Sequence, residues 1–260
     1  MSTSFRVFRE IDLNSDLGES FGPWVMGDDE RMLSMVSSAN VACGGHASDP
    51  DTMYRTLVLA KQHDVTVGAH PGYPDLLGFG RRRLPYTPDE VQRFCVAQIG
   101  SLMAMAALVG TRVRYVKPHG ALANLAADDR SVAEAIAAGV AAIGGLSILA
   151  ISGTELADAA RARNLTAYSE IFADRTYTAR GRLVPRSDPA AMITDPDAAA
   201  ERLVDFLRSG RMPTVDGPAI PLEAHSICIH GDNPYAVAMA ERVSRALKGE
   251  GLAIHGFVKA

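Results

Sequence analysis

The chain has 260 residues, 47% of them hydrophobic and 22% charged, with a formal net charge of −4. That content is ample for one large α/β core, and a charge balance relieved only by the run Arg81-Arg82-Arg83 excludes a nucleic-acid-binding footprint as the expected function. Three cysteines without CxxC or framework spacing, an N-terminus without an apolar h-region, and long apolar segments interrupted by Gln, Ser, Glu or Gly predict a cytoplasmic protein with no membrane span.

The first strand is predicted over Glu10–Asp16, with Asp12, Asn14 and Asp16 on one face because strand side chains alternate. Gly18 then breaks the run and Glu19 enters the turn. A strand made only for packing does not carry such a load, since buried carboxylates must be paired, hydrated or metal-bound. Ala39–Cys43 is the second strand and runs into Gly44-Gly45-His46; Asp49 then caps a helix from Pro50 to His63. Thr66–His70 is the third strand. Thr87-Pro88-Asp89-Glu90 reads as a capping box opening a helix over Pro88–Val109. Val113–His119 and Ser147–Ser152 follow as strands four and five, with further boxes at Ser131-Val132-Ala133-Glu134 and Ser152-Gly153-Thr154-Glu155. The sixth strand is Ala167–Asp174, and Asp195-Pro196 opens a helix to Arg208. Gly210–Ala224 precedes the seventh strand, Ser226–Asp232, and is therefore expected at the face opposite the strand ends. Asn233-Pro234 opens a helix to Lys248, and Leu252–Val258 forms a last short strand.

Strands alternating with helices imply parallel pairing and right-handed crossovers. Seven units of ~30 residues, with no GxGxxG after any strand, favour a closed, TIM-like seven-stranded (β/α) barrel over a doubly wound sheet, as a single domain spanning 1–260. The carboxyl ends of the strands then share one mouth. It would gather Asp16, Glu19, His46, His70, Lys117, His119, Glu170, Asp174, Arg175, His230 and Asp232. Four histidines at four strand ends point to a site, whereas His63, His225 and His255 fall outside it and Cys43 and Cys228 read as small apolar residues. An inward Lys117 must meet carboxylates or a substrate anion. The loops Gly72–Tyr86 and Arg175–Asp188 look like covers, and their arginines suit carboxylate or phosphate recognition. Asp12 or Asp16 with His46 and His70 would make a carboxylate and two-imidazole set for a divalent metal. Acids, imidazoles and a lysine together fit general acid–base hydrolysis of an amide or ester. There is no P-loop, so ATP would need a nonstandard site or another chain.

Seven segments in order, Asp12-Leu13-Asn14-Ser15-Asp16-Leu17-Gly18-Glu19, Asn40-Val41-Ala42-Cys43-Gly44-Gly45-His46-Ala47, Gly68-Ala69-His70-Pro71-Gly72-Tyr73-Pro74-Asp75, Gly78-Phe79-Gly80-Arg81-Arg82, Val116-Lys117-Pro118-His119-Gly120-Ala121-Leu122, Glu170-Ile171-Phe172-Ala173-Asp174-Arg175 and Ile229-His230-Gly231-Asp232, resemble the LamB/YcsF family of 5-oxoprolinase A subunits. The resemblance implies a seven-stranded barrel similar to the glycoside hydrolase and deacetylase barrels. It also implies ATP-dependent opening of 5-oxo-L-proline to L-glutamate, with Mg2+-ATP and partner subunits B and C. Under that reading Asp16, Glu19 or His70 serves as base, Lys117 and His119 act at the reacting centre, and Arg82 or Arg175 holds the substrate carboxylate. Asp12, Asn14, His46, Glu170, Asp174, His230 and Asp232 complete the binding wall, and Asp12, His46 and His70 are the implied metal set. Departures from the family pattern, at Ser48, Ala123 and Tyr235, remove no charged or imidazole group. The competing expectations are a metal-dependent deacetylase or amidase acting without ATP, and a noncatalytic protein that binds a small carboxylate for its partners.

Overall fold

A computed structural model describes residues 8–232 and 235–258. Strands β1 (Glu10–Leu17), β2 (Ser38–Ala42), β3 (Thr66–His70), β4 (Val113–Val116), β5 (Ser147–Ile151) and β6 (Ala167–Phe172) pair in parallel in chain order. Strand β7 (Ser226–His230) closes the ring by pairing with both β6 and β1, giving a seven-stranded TIM-like (β/α) barrel. The chain returns at β8 (Ala253–Ile254), which pairs with the start of β1 at Glu10 and Ile11. Strand β4 ends at Val116, yet the main chain beyond it keeps the ladder. Lys117 N donates to Ala69 O at 2.9 Å and His119 N to Pro71 O at 2.8 Å.

Outward side chains such as Leu13, Val41, Val67, Ile171 and Ile229 are fully buried under the helix layer. Helix α1 is Asp29–Leu33, α2 Pro50–Gln62, α3 Pro88–Val109, α4 Gly120–Asp128, α5 Arg130–Ile143, α6 Glu155–Ala162, α7 Pro196–Ser209 and α8 Ala236–Gly249. Asp49 caps α2 by accepting from the amides of Asp51 and Thr52, and Thr87 and Glu90 form the expected reciprocal box on α3. Although 22 residues long and apolar, α3 buries a single stripe, Val91, Cys95, Ile99, Leu102 and Ala106, and stops at Gly110 in the left-handed region.

Two expected boxes do not form. Asp129, not Ser131, caps α5, accepting from Ser131 N at 3.0 Å and Val132 N at 3.3 Å. At α6 the hydroxyl of Ser152 instead accepts from Glu223 N, and Thr154 Oγ1 donates back to Ile151 O. Helices α1 and α4 go beyond the elements expected from the sequence: one is five residues long, and the other starts at a glycine that reads as a turn. The expected opener Asn233-Pro234 lies outside the described residues. Segment 210–224 carries a small antiparallel pair, Arg211–Met212 with Ile220–Pro221. It also reaches the loop after β6, where Val215 N donates to Tyr177 O at 2.9 Å and Ala179 N to Asp216 Oδ1 at 2.6 Å. It is thus a buttress of a mouth loop.

The ring is not packed by apolar layers alone. Strand β4 carries an irregularity opposite Val67/Gly68 that sets Tyr115 beside Gly68. The Tyr115 ring fills the space a side chain at 68 would need: a Cβ there would lie 2.2 Å from it. Its hydroxyl donates to Asn40 Oδ1 at 2.6 Å.

Candidate active site

A hydrogen-bonded column of polar side chains runs along the barrel interior. At the closed end, Asp12 accepts from the hydroxyls of Ser37 (2.6 Å), Ser38 (2.7 Å) and Ser226. Asn14 Nδ2 donates to Ser226 Oγ at 2.6 Å, and Asn40 Nδ2 donates both to Asn14 Oδ1 at 2.7 Å and to Asp16 Oδ1 at 2.8 Å. Asp12, Asn14, Asp16, Asn40 and Ser226 are all buried, so their polar atoms must find partners inside the barrel. Burial pushes the Asp12 carboxyl up to about 6, partly offset by its three hydroxyl donors.

The open end holds the charges. The Lys117 ammonium donates to Asp16 Oδ1 at 2.6 Å and to Cys228 Sγ at 3.1 Å, and lies 3.5 Å from Glu170 Oε2. Asp16 Oδ2 is 3.4 Å from His70 Nε2. Burial opposes ionisation of Asp16, but the charges of His70 and Lys117 outweigh it and hold the carboxyl well below its ordinary value. Burial likewise opposes the Lys117 charge, and Asp16 overcomes it. Glu170 is different: burial lifts it to about 7 despite Lys117, and its Oε2 accepts no hydrogen bond. A carboxyl in that range exchanges a proton near neutrality.

Above this floor opens a cavity of about 540 Å³. Asp16, His70, Lys117, His119, Glu170 and His230 form one wall; Arg81, Arg175, Arg182 and Arg186 come from the two covering loops. His230 Nδ1 bonds both oxygens of Asp174 at 2.9 Å, and that pairing holds Asp174 below its ordinary value against the effect of burial. Arg81 pairs with Asp232 at 2.5 Å. Arg175 donates to Val184 O and Ala191 O of its own loop, and burial and then Arg186 lower its guanidinium to about 10.

Beside the cavity four elements bring Glu19, His46, His70 and His119 together, with one donor atom from each within 4.8 Å of the others. His46 and His119 stack at 3.6 Å, nearly parallel, while His70 stands at 89° to His119. Burial, then the neighbouring imidazoles, push His46 and His119 well below the ordinary histidine range; burial, then Asp16 and Asp232, hold Glu19 well above the ordinary carboxylate range. Neutral imidazoles and a carboxylate are a donor set suited to a divalent metal.

Most residues expected at the mouth therefore meet there. Asp12 and Asn14 do not. They share the inward face with Asp16 but sit lower in the barrel, so Asp12 is no neighbour of His46 and His70. The cluster takes its carboxylate from Glu19 instead. Arg82 turns away from the cavity to form a two-bond ion pair with Asp75, and the adjacent Arg81 lines the cavity. Cys228 is a hydrogen-bond acceptor for Lys117 as well as a buried small side chain. Asn40 and Tyr115, which link the column to the floor, escape a reading by strand ends. Their signal is polar character at inward parity on β2 and β4. His225 accepts from Ser169 N, and His255 faces Glu10 near the barrel's other end.

The chain is similar along almost its whole length to a 5-oxoprolinase A subunit, the first of its kind in Agrobacterium fabrum, with 49% identity over 95% of this chain and 97% of that one. It is 50% identical to the 5-oxoprolinase A subunit of Geobacillus kaustophilus, over 95% of this chain and 96% of the relative. Among solved structures, a lactam utilization protein from Thermus thermophilus superposes with a TM-score of 0.89 and 41% identity, covering 95% of this chain and 99% of that one. The chain matches the LamB/YcsF family model over residues 11–260 and belongs to the LamB/YcsF family.

Proposed function

We propose that this barrel is the lactam-handling component of an ATP-dependent 5-oxoprolinase, opening 5-oxo-L-proline to L-glutamate together with partner subunits B and C. The observation that carries the proposal is the ionised Asp16 held between Lys117 and His70 on the floor of an arginine-rimmed cavity. The relatives' name, at about half identity over nearly full length, points the same way. A small ring bearing an amide and a carboxylate matches that charge pattern. Arg81, Arg175 and Arg186 offer donors to the carboxylate, and the floor offers acid, base and cation to the amide.

Hydrolysis of an unstrained five-membered lactam needs coupling. The amide oxygen takes the terminal phosphoryl group of Mg2+-ATP, releasing ADP and leaving an imidate phosphate. Water then adds to the activated carbon while Asp16, relayed through His70, receives its proton. Collapse expels phosphate, breaks the ring C–N bond and yields glutamate. Glu170, which titrates near 7, is placed to return a proton to the leaving nitrogen. Lys117 faces the charge that develops on the reacting oxygens.

The test is 5-oxoproline-dependent ATP hydrolysis, measured on the chain alone and with its partner proteins. Lys117→Met is expected to lower the coupled rate by at least about a hundredfold, the scale of losing a charge-stabilising donor. Unaltered coupled turnover in a folded Lys117→Met protein would remove the floor from the mechanism. Calorimetric binding of 5-oxoproline without turnover under any combination of partners would reassign the mouth to substrate capture.

A further inference from the structure

The tautomers of two mouth histidines are fixed by acceptors that have no proton to give. His70 Nδ1 lies 2.6 Å from Lys117 O, and His119 Nε2 lies 2.9 Å from Phe79 O. A carbonyl only accepts, so both of those nitrogens carry hydrogen. In the neutral rings the lone pairs are then on His70 Nε2 and His119 Nδ1, and these two atoms face each other at 3.0 Å. Two lone pairs at that distance repel unless a cation or a proton lies between them. Two carboxylate oxygens approach the same point: Glu19 Oε1 is 3.6 Å from His119 Nδ1, and Asp16 Oδ2 is 3.4 Å from His70 Nε2. A shared proton engages two atoms; the donors here number more.

We propose that Glu19, His70 and His119 bind a divalent transition-metal ion of the zinc class. Tetrahedral zinc with bonds of 2.0–2.1 Å sets its ligand atoms about 3.3–3.4 Å apart. The separations of 3.0, 3.4 and 3.6 Å bracket that value. His46 does not serve as a fourth ligand, because its ring is stacked parallel to His119 at 3.6 Å and the two planes share no point. Its Nε2 instead donates to Glu19 Oε1 at 3.0 Å and orients the carboxylate, the usual task of a group just outside a metal shell. The backbone carbonyls of Lys117 and Phe79 do the same for the two imidazoles. A three-ligand set leaves one position, on the side where His70, His119 and Asp16 border the cavity. The second donor group at the mouth, Asp16, Cys228 and His230, is a poorer candidate, since the Lys117 ammonium already bonds its carboxylate and its sulfur.

The site draws its ligands from the ends of three strands or the loops after them. Glu19 follows β1, His70 ends β3 and His119 follows β4. Metal binding should therefore tie these segments together and raise the unfolding temperature without any substrate.

Chelator-stripped protein titrated with Co2+ is expected to take up about one ion per chain, with the visible absorption of a four-coordinate site, and to release it to Zn2+. Glu19→Gln and His119→Ala should each weaken Co2+ binding by at least about tenfold. Arg82→Ala, at an exposed loop ion pair, should leave it unchanged. Histidine nitrogen NMR of the unaltered chain supplies a readout that needs no variant: Zn2+ should shift His70 Nε2 and His119 Nδ1 and spare their carbonyl-bonded partners. Failure to bind either ion, with a proton seen shared between those two nitrogens, overturns the proposal. So does binding that both variants leave intact. None of these readouts uses ATP or 5-oxoproline, so the metal site and the lactam reaction stand or fall separately.

Discussion

Lys117 and Asp16 illustrate how a buried charge pair makes each partner indispensable to the other. Each is almost completely buried, and each owes its charge to a neighbour a hydrogen bond away. Removing one side leaves an unpaired charge in the barrel, which costs about 3–5 kcal/mol, whereas replacing both by neutral groups of similar shape is close to neutral. Lys117→Met is accordingly expected to lower unfolding free energy by about that amount, and Asp16→Asn in the same chain to recover most of it. Urea unfolding of the two single variants and the double variant measures the coupling. Activity should not return with stability, because the double variant lacks both the base and the cation. Equal, additive losses would mean that the pair does not act as a unit.

At the level of elements, the β3–β4 seam shows a strand shaped by what crosses it. The Tyr115 ring lies over Gly68, and its hydroxyl reaches Asn40, which in turn bonds Asp16. Gly68→Ala should destabilise the fold by about 1–3 kcal/mol, since a Cβ 2.2 Å from the ring forces a shift in a packed interior. Tyr115→Leu in the Gly68→Ala background should recover part of the loss, and thermal unfolding of the four-member cycle checks it. The same seam marks how far sequence patterning reaches. Strand positions, the α2 and α3 caps and the gathering of His46, His70, His119 and His230 at one mouth follow from alternation and start signals. Parity reports a face but not a depth, so it groups Asp12 with Asp16 although their partners lie at opposite ends of the barrel. Depth comes from strand register, which pairs Asp12 with Ser226 and Asp16 with His230. Loop arginines escape patterning for another reason. Arg81 and Arg82 are adjacent, and the bond from Arg82 to Asp75, together with the left-handed backbone at Phe79 and Gly80, decides which one faces the cavity.

Across the whole molecule the interior carboxylates set competing pH trends, and Asp12 separates from the rest because it lies away from the mouth. Its carboxyl titrates at about 6 in the folded chain against an ordinary value of 3.8, and burial is the leading cause. A raised folded-state value means that the protonated form is favoured by folding. The associated stability is fully present below about pH 4 and is lost as pH rises through 6, a total of about 3 kcal/mol. Glu170, lifted to about 7, adds a loss in the same direction over a higher window. Asp16 and Asp174 work oppositely, since their depressed values give stability that disappears on acidification. Asp12→Asn isolates the first contribution. The amide oxygen can still accept from Ser37 and Ser38, while its NH2 can donate to the Ser226 oxygen. The variant should match the unaltered protein near pH 4 and become more stable by up to about 3 kcal/mol at pH 7–8. Denaturant unfolding at half-unit pH steps gives the difference curve directly. A difference that stays flat from pH 4 to 8 would show that Asp12 keeps an ordinary affinity for its proton inside the barrel. A difference that rises through pH 6 identifies the closed end of the polar column as a place where the fold gives up stability to keep its interior hydrogen-bonded up to the mouth.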